Sequence, residues 1–359
     1  MREKGNDNRT KNVAAFEGDV QRFLKPDEVS IHTGVAQPAA DLITLPRSPK
    51  PFVFNILRDC DVPDYTQMLY QSFNTWYWNH GWGKDYFGCT AQDTRIFYDI
   101  YCDISPGHSI AAFDARTRKL IGACFYHPRE HHVSLGIMCV HPDAWGRGVG
   151  RSLVEHILSI VRNNRYFSCR LVGSAMNMDS FSLYNRCGFA PKAAYHDMVV
   201  AVSDKTLAVR VPGQEHVRQA EAPDVALMGD LEMEVSGIQR EIDYRYAIEN
   251  PRQVLHATVY ENDRGTIDGF MISIKHPAVN MLGPCVARTE AAAIALISRE
   301  MERFKGMPVL MVIPMDKRKL VMQAYAWGAV NVETHLGQVW GQFQPFQGVN
   351  MPGFLPETG

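Results

Sequence analysis

Read for the spacing of its apolar residues, the chain resolves into short strands and amphipathic helices from about residue 52 onward. "FVFNIL" (Phe52 to Leu57) has the aromatic and β-branched content of a strand. Asp61 then stands as an N-cap with Pro63 in the first turn, and Met68, Leu69, Phe73 and Trp76 recur at helical spacing. Three strands follow, Ser109–Phe113, Leu120–His127 and Val133–Val140, separated by polar turns. Strict alternation in the third puts Val133, Leu135, Ile137 and Cys139 on one face. Ser134, Gly136, Met138 and Val140 share the other, which its small and polar members leave open to a ligand. Leu153, Ile157, Ile160 and Val161 mark an amphipathic helix running to about Asn164. Cys169–Ala175 reads as a buried strand, Ser180–Phe189 as a short helix stopped at Gly188, and Ala193–Val202 as a last strand. The order β-α-β-β-β-α-β-α-β predicts an α/β (α+β) fold: a mixed, largely antiparallel sheet flanked by helices. The helix after the third strand crosses between two neighbouring strands.

Residues 215 to 342 repeat this plan. "HVRQAEAPDVALMGDLEMEV" resembles an opening strand and helix, and a hairpin closes in His276-Pro277 as the earlier one closes in His127-Pro128. A helix from Thr289 to Phe304, the strand "PVLMVIP", a helix Lys317 to Ala326 and a strand Val330 to Trp340 complete it. The predicted division is a loosely ordered polar leader over 1–50 with a short helix around Val20 to Leu24, modules over 51–203 and 204–345, and a tail over 346–359. A length of 359 residues agrees with two domains.

Charge and composition narrow the partners. With 37 Lys+Arg against 39 Asp+Glu, no long-range field argues for nucleic acid or anionic lipid. The first residues carry no apolar signal-peptide core, and no window reaches the roughly 18 apolar residues of a membrane span. Eight scattered cysteines without a CxxC pair fit reduced thiols and a cytoplasmic location. The closing "LPETG" matches a sortase sorting signal but lacks the apolar anchor and basic tail such a signal needs, so it reads as coincidence.

The chemistry starts at "VHPDAWGRGVGRSL", Val140 to Leu153, where Gly146, Gly148 and Gly150 stand at alternate positions at the mouth of a helix. A helix start carries unpaired N–H groups and about half a positive charge, and an anion uses both if no Cβ blocks its approach. The stretch therefore reads as a diphosphate cradle. Arg147 and Arg151 either add charge to it or are solvated helix charges. A P-loop needs a Lys after the glycines, and a dinucleotide turn needs GxGxxG between parallel strands; neither stands here. A glycine-rich turn without a ligand is the plain alternative.

Two motifs now resemble a known family. "VHPDAWGRGVGRSL" is similar to motif A of the GNAT superfamily of acetyl-CoA-dependent N-acetyltransferases, and "NMDSFSLYNRCGF" (Asn177 to Phe189) to its motif B. The resemblance covers roughly Phe52 to Val202. It departs at Trp145, where the family carries Gln or Arg before the first glycine. It implies acetyl-CoA as co-substrate, no metal, and a primary amine of a small molecule or peptide as acceptor. The pantetheine arm is expected along Met138, Cys139 and Val140. The diphosphate is expected over Gly146, Arg147, Gly148, Val149, Gly150 and Arg151. Tyr184, four residues before Gly188, is expected to protonate the leaving thiolate, which a phenol of pKa ~10 is equipped to do; a packed aromatic is the other reading. Asn177 bonds the cofactor's amides or caps the helix. For the base, the third strand offers Ser134 and, at its start, His132 beside Glu130 and His131. A metal site of His127, His131 and His132 lacks ligand spacing. The aromatics of "SFNTWYWNHGWG" (Phe73, Trp76, Tyr77, Trp78, Trp82) either line an acceptor pocket or pack a core.

In the second half "LGPCVARTEAAAIAL" replaces the glycine cradle, and Ala324 stands where Tyr184 stands in the first. The resemblance thus implies a tandem protein with a degenerate second module. The function expected is N-acetyl transfer by direct attack in the first module. The competing expectation is a non-catalytic acyl-CoA-binding or interaction protein that keeps the fold.

Overall fold

The computed structural model describes residues 51–355, so the leader with its expected helix and the last four residues lie outside the described residues. In the first half the order is β1 (Phe52–Asn55), α1 (Val62–Asn79), α2 (Arg95–Ile104), β2 (Ser109–Asp114), β3 (Leu120–Pro128) and β4 (His132–Val140). Then come α3 (Val149–Asn163), β5 (Ser168–Ser174), α4 (Met178–Arg186) and β6 (Ala190–Ala201). The second half opens with α5 (Asp204–Leu207), β7 (Val217–Gln219), α6 (Asp224–Ser236), α7 (Glu241–Glu249), β8 (Leu255–Glu261) and β9 (Ile267–His276). It closes with β10 (Val279–Ala287), α8 (Glu290–Met301), β11 (Pro308–Pro314), α9 (Arg318–Ala326), β12 (Val330–Gly341) and β13 (Val349–Met351). The expected elements are present, with three helices added, α2, α5 and α7, and one strand, β13. α2 carries a plain helical period, with Ile96, Ile100 and Ile104 buried four residues apart, whereas α5 and α7 are short and rich in charge.

All of these strands join one mixed sheet in the order β1-β2-β3-β4-β5-β12-β6-β11-β10-β9-β8-β7, with β13 on β10. Only β4–β5 and β10–β11 are parallel. Each of these pairs is joined in sequence through a crossover helix, α3 or α8, because parallel neighbours cannot be closed by a hairpin. The centre of the sheet holds the main surprise. β12 of the second half lies between β5 and β6 of the first, and β6 lies between β12 and β11. The halves have exchanged their last strands.

Packing follows the exchange. On one face a single core joins α1 and α2 (Leu69, Ile100, Tyr101) to α6 and α7 (Met228, Leu231, Tyr244). On the other face two cores stay separate, one under α3 (Leu153, Ile157, Val161) and one under α8 (Ala293, Leu296, Ile297). Buried ion pairs also cross the halves: Arg129 of the β3–β4 turn meets Asp243 of α7. Residues expected to form a tail belong to the sheet, since β13 pairs with β10 at Val349↔Ala287. Phe354 and Leu355 are buried beyond it, and Arg240 donates to the Leu355 carbonyl at 3.2 Å.

The expected alternation along β4 fails at one point. Cys124 of β3 faces Met138, but Tyr126 faces Leu135, so β4 carries one extra residue between them. This bulge reverses the parity of the strand. Val133 and Leu135 pack under α3, whereas Ile137 and Cys139 turn to the α1–α2 core and Met138 and Val140 to the α3 side. Nothing in the hydrophobic pattern marked the slip, because both faces of this strand are buried in apolar surroundings.

Candidate functional site

The glycine-opened helix is built as its sequence requires. Gly146 and Gly148 adopt φ of 73° and 78°, the left-handed region that a Cβ makes costly. A Cβ at either would meet no atom within 4 Å, so the space before the helix is open. Gly150 serves differently: a Cβ there would sit 3.4 Å from Leu183, so its absence lets α3 and α4 pack closely. Trp145, at the departure from the family pattern, donates its indole N–H to the Val140 carbonyl at 2.7 Å and ties the loop to the end of β4. Both arginines are paired: Arg147 with Asp114 at 2.7 Å, and Arg151 with Glu155 at 2.8 Å. The Arg147 guanidinium holds the Asp114 carboxyl well below the usual carboxylate range.

β4 and β5 pair only over His132–Ser134 with Ser168–Arg170 and then diverge. A cavity of about 1020 Å³ occupies the divergence. Met138, Cys139, Val140, Gly146, Gly148, Val149, Gly150 and Arg151 line it, with Asn177 and Tyr184 from the motif B side. Arg147 is not in the lining. Tyr184 is 7% exposed, packs edge-on to Phe189 at 5.9 Å, and lies 3.8 Å from where a Cβ on Gly173 would be. Asn177 is an N-cap: its Oδ1 accepts from Ser180 N at 3.0 Å, the second of its two expected roles.

The two base candidates on β4 must be corrected. His132 and Ser134 are fully buried and do not line the cavity. Burial, with Arg170 and Arg240 nearby, drives the His132 imidazole far below its ordinary pKa. A group that no acceptor can touch takes no proton from one. His127 is buried with its Nδ1 3.0 Å from Ser105 Oγ, and His131 stacks on Phe167, so neither faces the cavity.

The far end of the cavity is chemically different. Aromatic residues of the α1 region line it, Phe73, Trp76, Tyr77 and Trp82 among them, while Trp78 is exposed outside. Asp197 on β6 and Glu333 and His335 on β12 line the same space, their ligating atoms within 4.8 Å of one another. Tyr77 Oη donates to both Glu333 oxygens at 3.0 and 3.1 Å, and Ser174 Oγ donates to Oε1. His335 Nδ1 lies 3.0 Å from Asp197 Oδ1. Burial pushes the Glu333 carboxyl up. These residues escape a linear reading because β12 belongs to the other half. The available signal was Glu333 and His335 two apart in "NVETHLGQ", an acid and an imidazole on one face of a strand otherwise read as core.

The corresponding helix start in the second half lacks the spaced glycines and is capped by a side chain. Thr289 Oγ1 accepts from Ala292 N at 3.2 Å, while the Glu290 carboxylate turns to the start of α9 and accepts from Leu320 N at 2.8 Å. A smaller cavity of about 440 Å³ beside it is lined by Arg288, Glu290, Lys317 and Lys319.

A sheet parted between two parallel strands, with a bare helix start on one face and a lined chamber on the other, defines the acyltransferase class of fold. A profile described as the GNAT acetyltransferase family matches residues 64–189, and one described as a GNAT acetyltransferase domain matches 228–336. The chain belongs to the GNAT acetyltransferase family and is a tandem form of it. Among solved structures, an acetyltransferase so assigned from Pyrococcus horikoshii superposes with a TM-score of 0.66 at 14% identity, over 92% of this chain and 100% of its own. A tandem GNAT protein from the clavulanic acid biosynthesis pathway gives 0.53 at 14% identity, over 81% and 98%. N-myristoyltransferase of Saccharomyces cerevisiae with bound myristoyl-CoA gives 0.53 at 12% identity, over 84% and 85%. The UPF0157 protein YqkA of Bacillus subtilis is 30% identical over 87 residues, 24% of this chain; the matched stretch spans 25% of that relative. No helix among the described residues is long and apolar enough to cross a membrane.

Proposed function

We propose that the protein transfers acetyl from acetyl-CoA to a primary amine by direct attack, using the glycine-opened site of residues 51–203. The observation that carries this reading is the single cavity that runs from the open helix start at Gly146 and Gly148 to the aromatic chamber on the opposite face of the sheet. Main-chain N–H groups of the α3 start would hold the diphosphate. The pantetheine arm would run past Met138 to Val140 and bring the thioester to the gap between β4 and β5. Tyr184 stands at that gap as the acid for the departing thiolate. Residues 204–345 shape the acceptor side; their equivalent helix start has no spaced glycines and is capped by Thr289. The eight free thiols agree with a reducing, cytoplasmic setting.

The test is thiol release from acetyl-CoA across a panel of primary amines, with Tyr184→Phe alongside. The variant is expected to lower kcat by at least tenfold, the lower end of general-acid effects being about 10²-fold. Calorimetry should show its affinity for CoA within about twofold of the parent. If CoA binds and no amine of any class releases thiol, the chain is an acyl-CoA-binding protein and the transfer reading is wrong.

A further inference from the structure

We propose that Glu333, set with Asp197 and His335 on the two exchanged strands, binds the acceptor's primary ammonium and removes its proton, so that the second half supplies the base for chemistry in the first. This rests on the transfer reading above.

The exchange creates the cluster. Glu333 pairs in register with Asp197 across β12 and β6, and His335 stands two residues along the same face of β12. An ammonium whose N–H···O bonds are about 2.9 Å long addresses acceptors roughly 4.7 Å apart. The carboxylates of Asp197 and Glu333, within 4.8 Å of one another, fall inside that reach. A second observation points the same way. Asp197 is 5% exposed and faces the cavity, and its Oδ1 pairs with His335 Nδ1 at 3.0 Å. Two carboxylates against one imidazole leave a surplus of negative charge at the wall of the cavity, which a cationic ligand offsets.

The surroundings select an organic cation over a hydrated metal ion. Tyr77 stacks on Tyr86 with ring centroids 4.5 Å apart and meets Trp82 edge-on at 5.2 Å, beside the cluster. Such rings attract an alkylammonium and pack against its apolar body, whereas a metal's water shell needs polar walls. The substrate class is therefore a primary ammonium on an aromatic or apolar body. Tyr77 and Ser174 anchor the Glu333 carboxylate. Burial raises its proton affinity, which suits a base working near neutrality. Ser174 follows Gly173, against which the Tyr184 ring lies, so acid and base flank the strand gap from opposite faces one residue apart on β5.

The step balances. R–NH₃⁺ gives one proton to the Glu333 carboxylate, and the freed lone pair forms the C–N bond while the carbonyl pair moves onto oxygen. That pair returns as the C–S bond breaks and its electrons leave on sulfur. The surplus proton on nitrogen reaches the thiolate by way of Tyr184, and Glu333 returns its proton to solvent.

The experiment uses the full chain, Glu333→Gln and Asp197→Asn, with phenethylamine as probe and phenethyl alcohol as its uncharged counterpart. Glu333→Gln is expected to lower kcat by 100-fold or more with CoA affinity unchanged, and to regain rate at high pH, where free amine is present. Asp197→Asn should raise KM for the amine by tenfold with a smaller effect on kcat. Phenethylammonium, and not the alcohol, should bind the CoA-loaded protein by calorimetry and bind Glu333→Gln at least tenfold more weakly. Wild-type turnover with an unchanged pH profile in Glu333→Gln overturns the proposal. So do equal amine heats in parent and variant, no amine heat in either, or one tight Zn²⁺ equivalent lost in Glu333→Gln while amine binding persists. If thiol is never released but the amine binds as expected, the transfer reading fails and the cation site stands.

Discussion

At the scale of single residues, Gly148 is the sharpest point of the coenzyme end. Its φ of 78° makes a β-branched side chain strained there, by roughly 1–2 kcal/mol, and the Cβ would project into open space where a phosphate is expected. Gly148→Val is therefore predicted to weaken CoA binding by at least tenfold in calorimetry, with a smaller loss of Tm. Gly150→Val would act by another route, because its Cβ meets Leu183 and pushes α4 from α3. Gly146 and Gly148 were legible in the sequence since each answers to a local backbone need, whereas Gly150 answers to packing against Leu183. Tyr184 was singled out by its spacing to Gly188, and the structure puts it in the cavity lining. Glu333 was not, because its meaning depends on Tyr77, 256 residues away.

At the scale of elements, β4 shows how an irregularity decides chemistry. One extra residue near Gly136 turns Met138 and Val140 toward the α3 side, and leaves His132 and Ser134 sealed at the end that still pairs with β5. His132 and His127 are held neutral by burial, so the folded chain refuses protons that the unfolded chain accepts. The unfolded chain binds more protons below its histidine pKa of about 6.5, and stability must fall as pH drops through that value. Each histidine contributes a limiting slope of about 1.4 kcal/mol per pH unit. Urea midpoints from pH 7.5 to 5.5 should show this decline, and His132→Gln should flatten it. A slope indifferent to the substitution would place the acid sensitivity elsewhere.

At the scale of the molecule, the exchanged strands make two sequence modules one folding unit. β6 without β12 and β11 would bare both its edges, and the core on the α1–α2 face draws side chains from both halves. Unfolding is expected as a single transition, with far-UV dichroism and tryptophan fluorescence coinciding and the calorimetric and van't Hoff enthalpies equal. Two resolved transitions would contradict the exchange. Exchange also brings Glu333 and His335 of the second half into the lining of the cavity that opens between β4 and β5.

The sequence by itself determined most of the elements, the tandem plan, the glycine-opened helix start and the spacing of Tyr184 to Gly188, because helical period, strand alternation and backbone conformation are set by neighbours along the chain. Only the tertiary structure decided the strand exchange, the bulge in β4, the burial of His132 and Ser134, and the cluster of Asp197, Glu333 and His335. Those depend on pairings between residues far apart in sequence, and repeated modules with matching strand patterns leave both partnerings, own-half and other-half, compatible with the same run of apolar and polar positions.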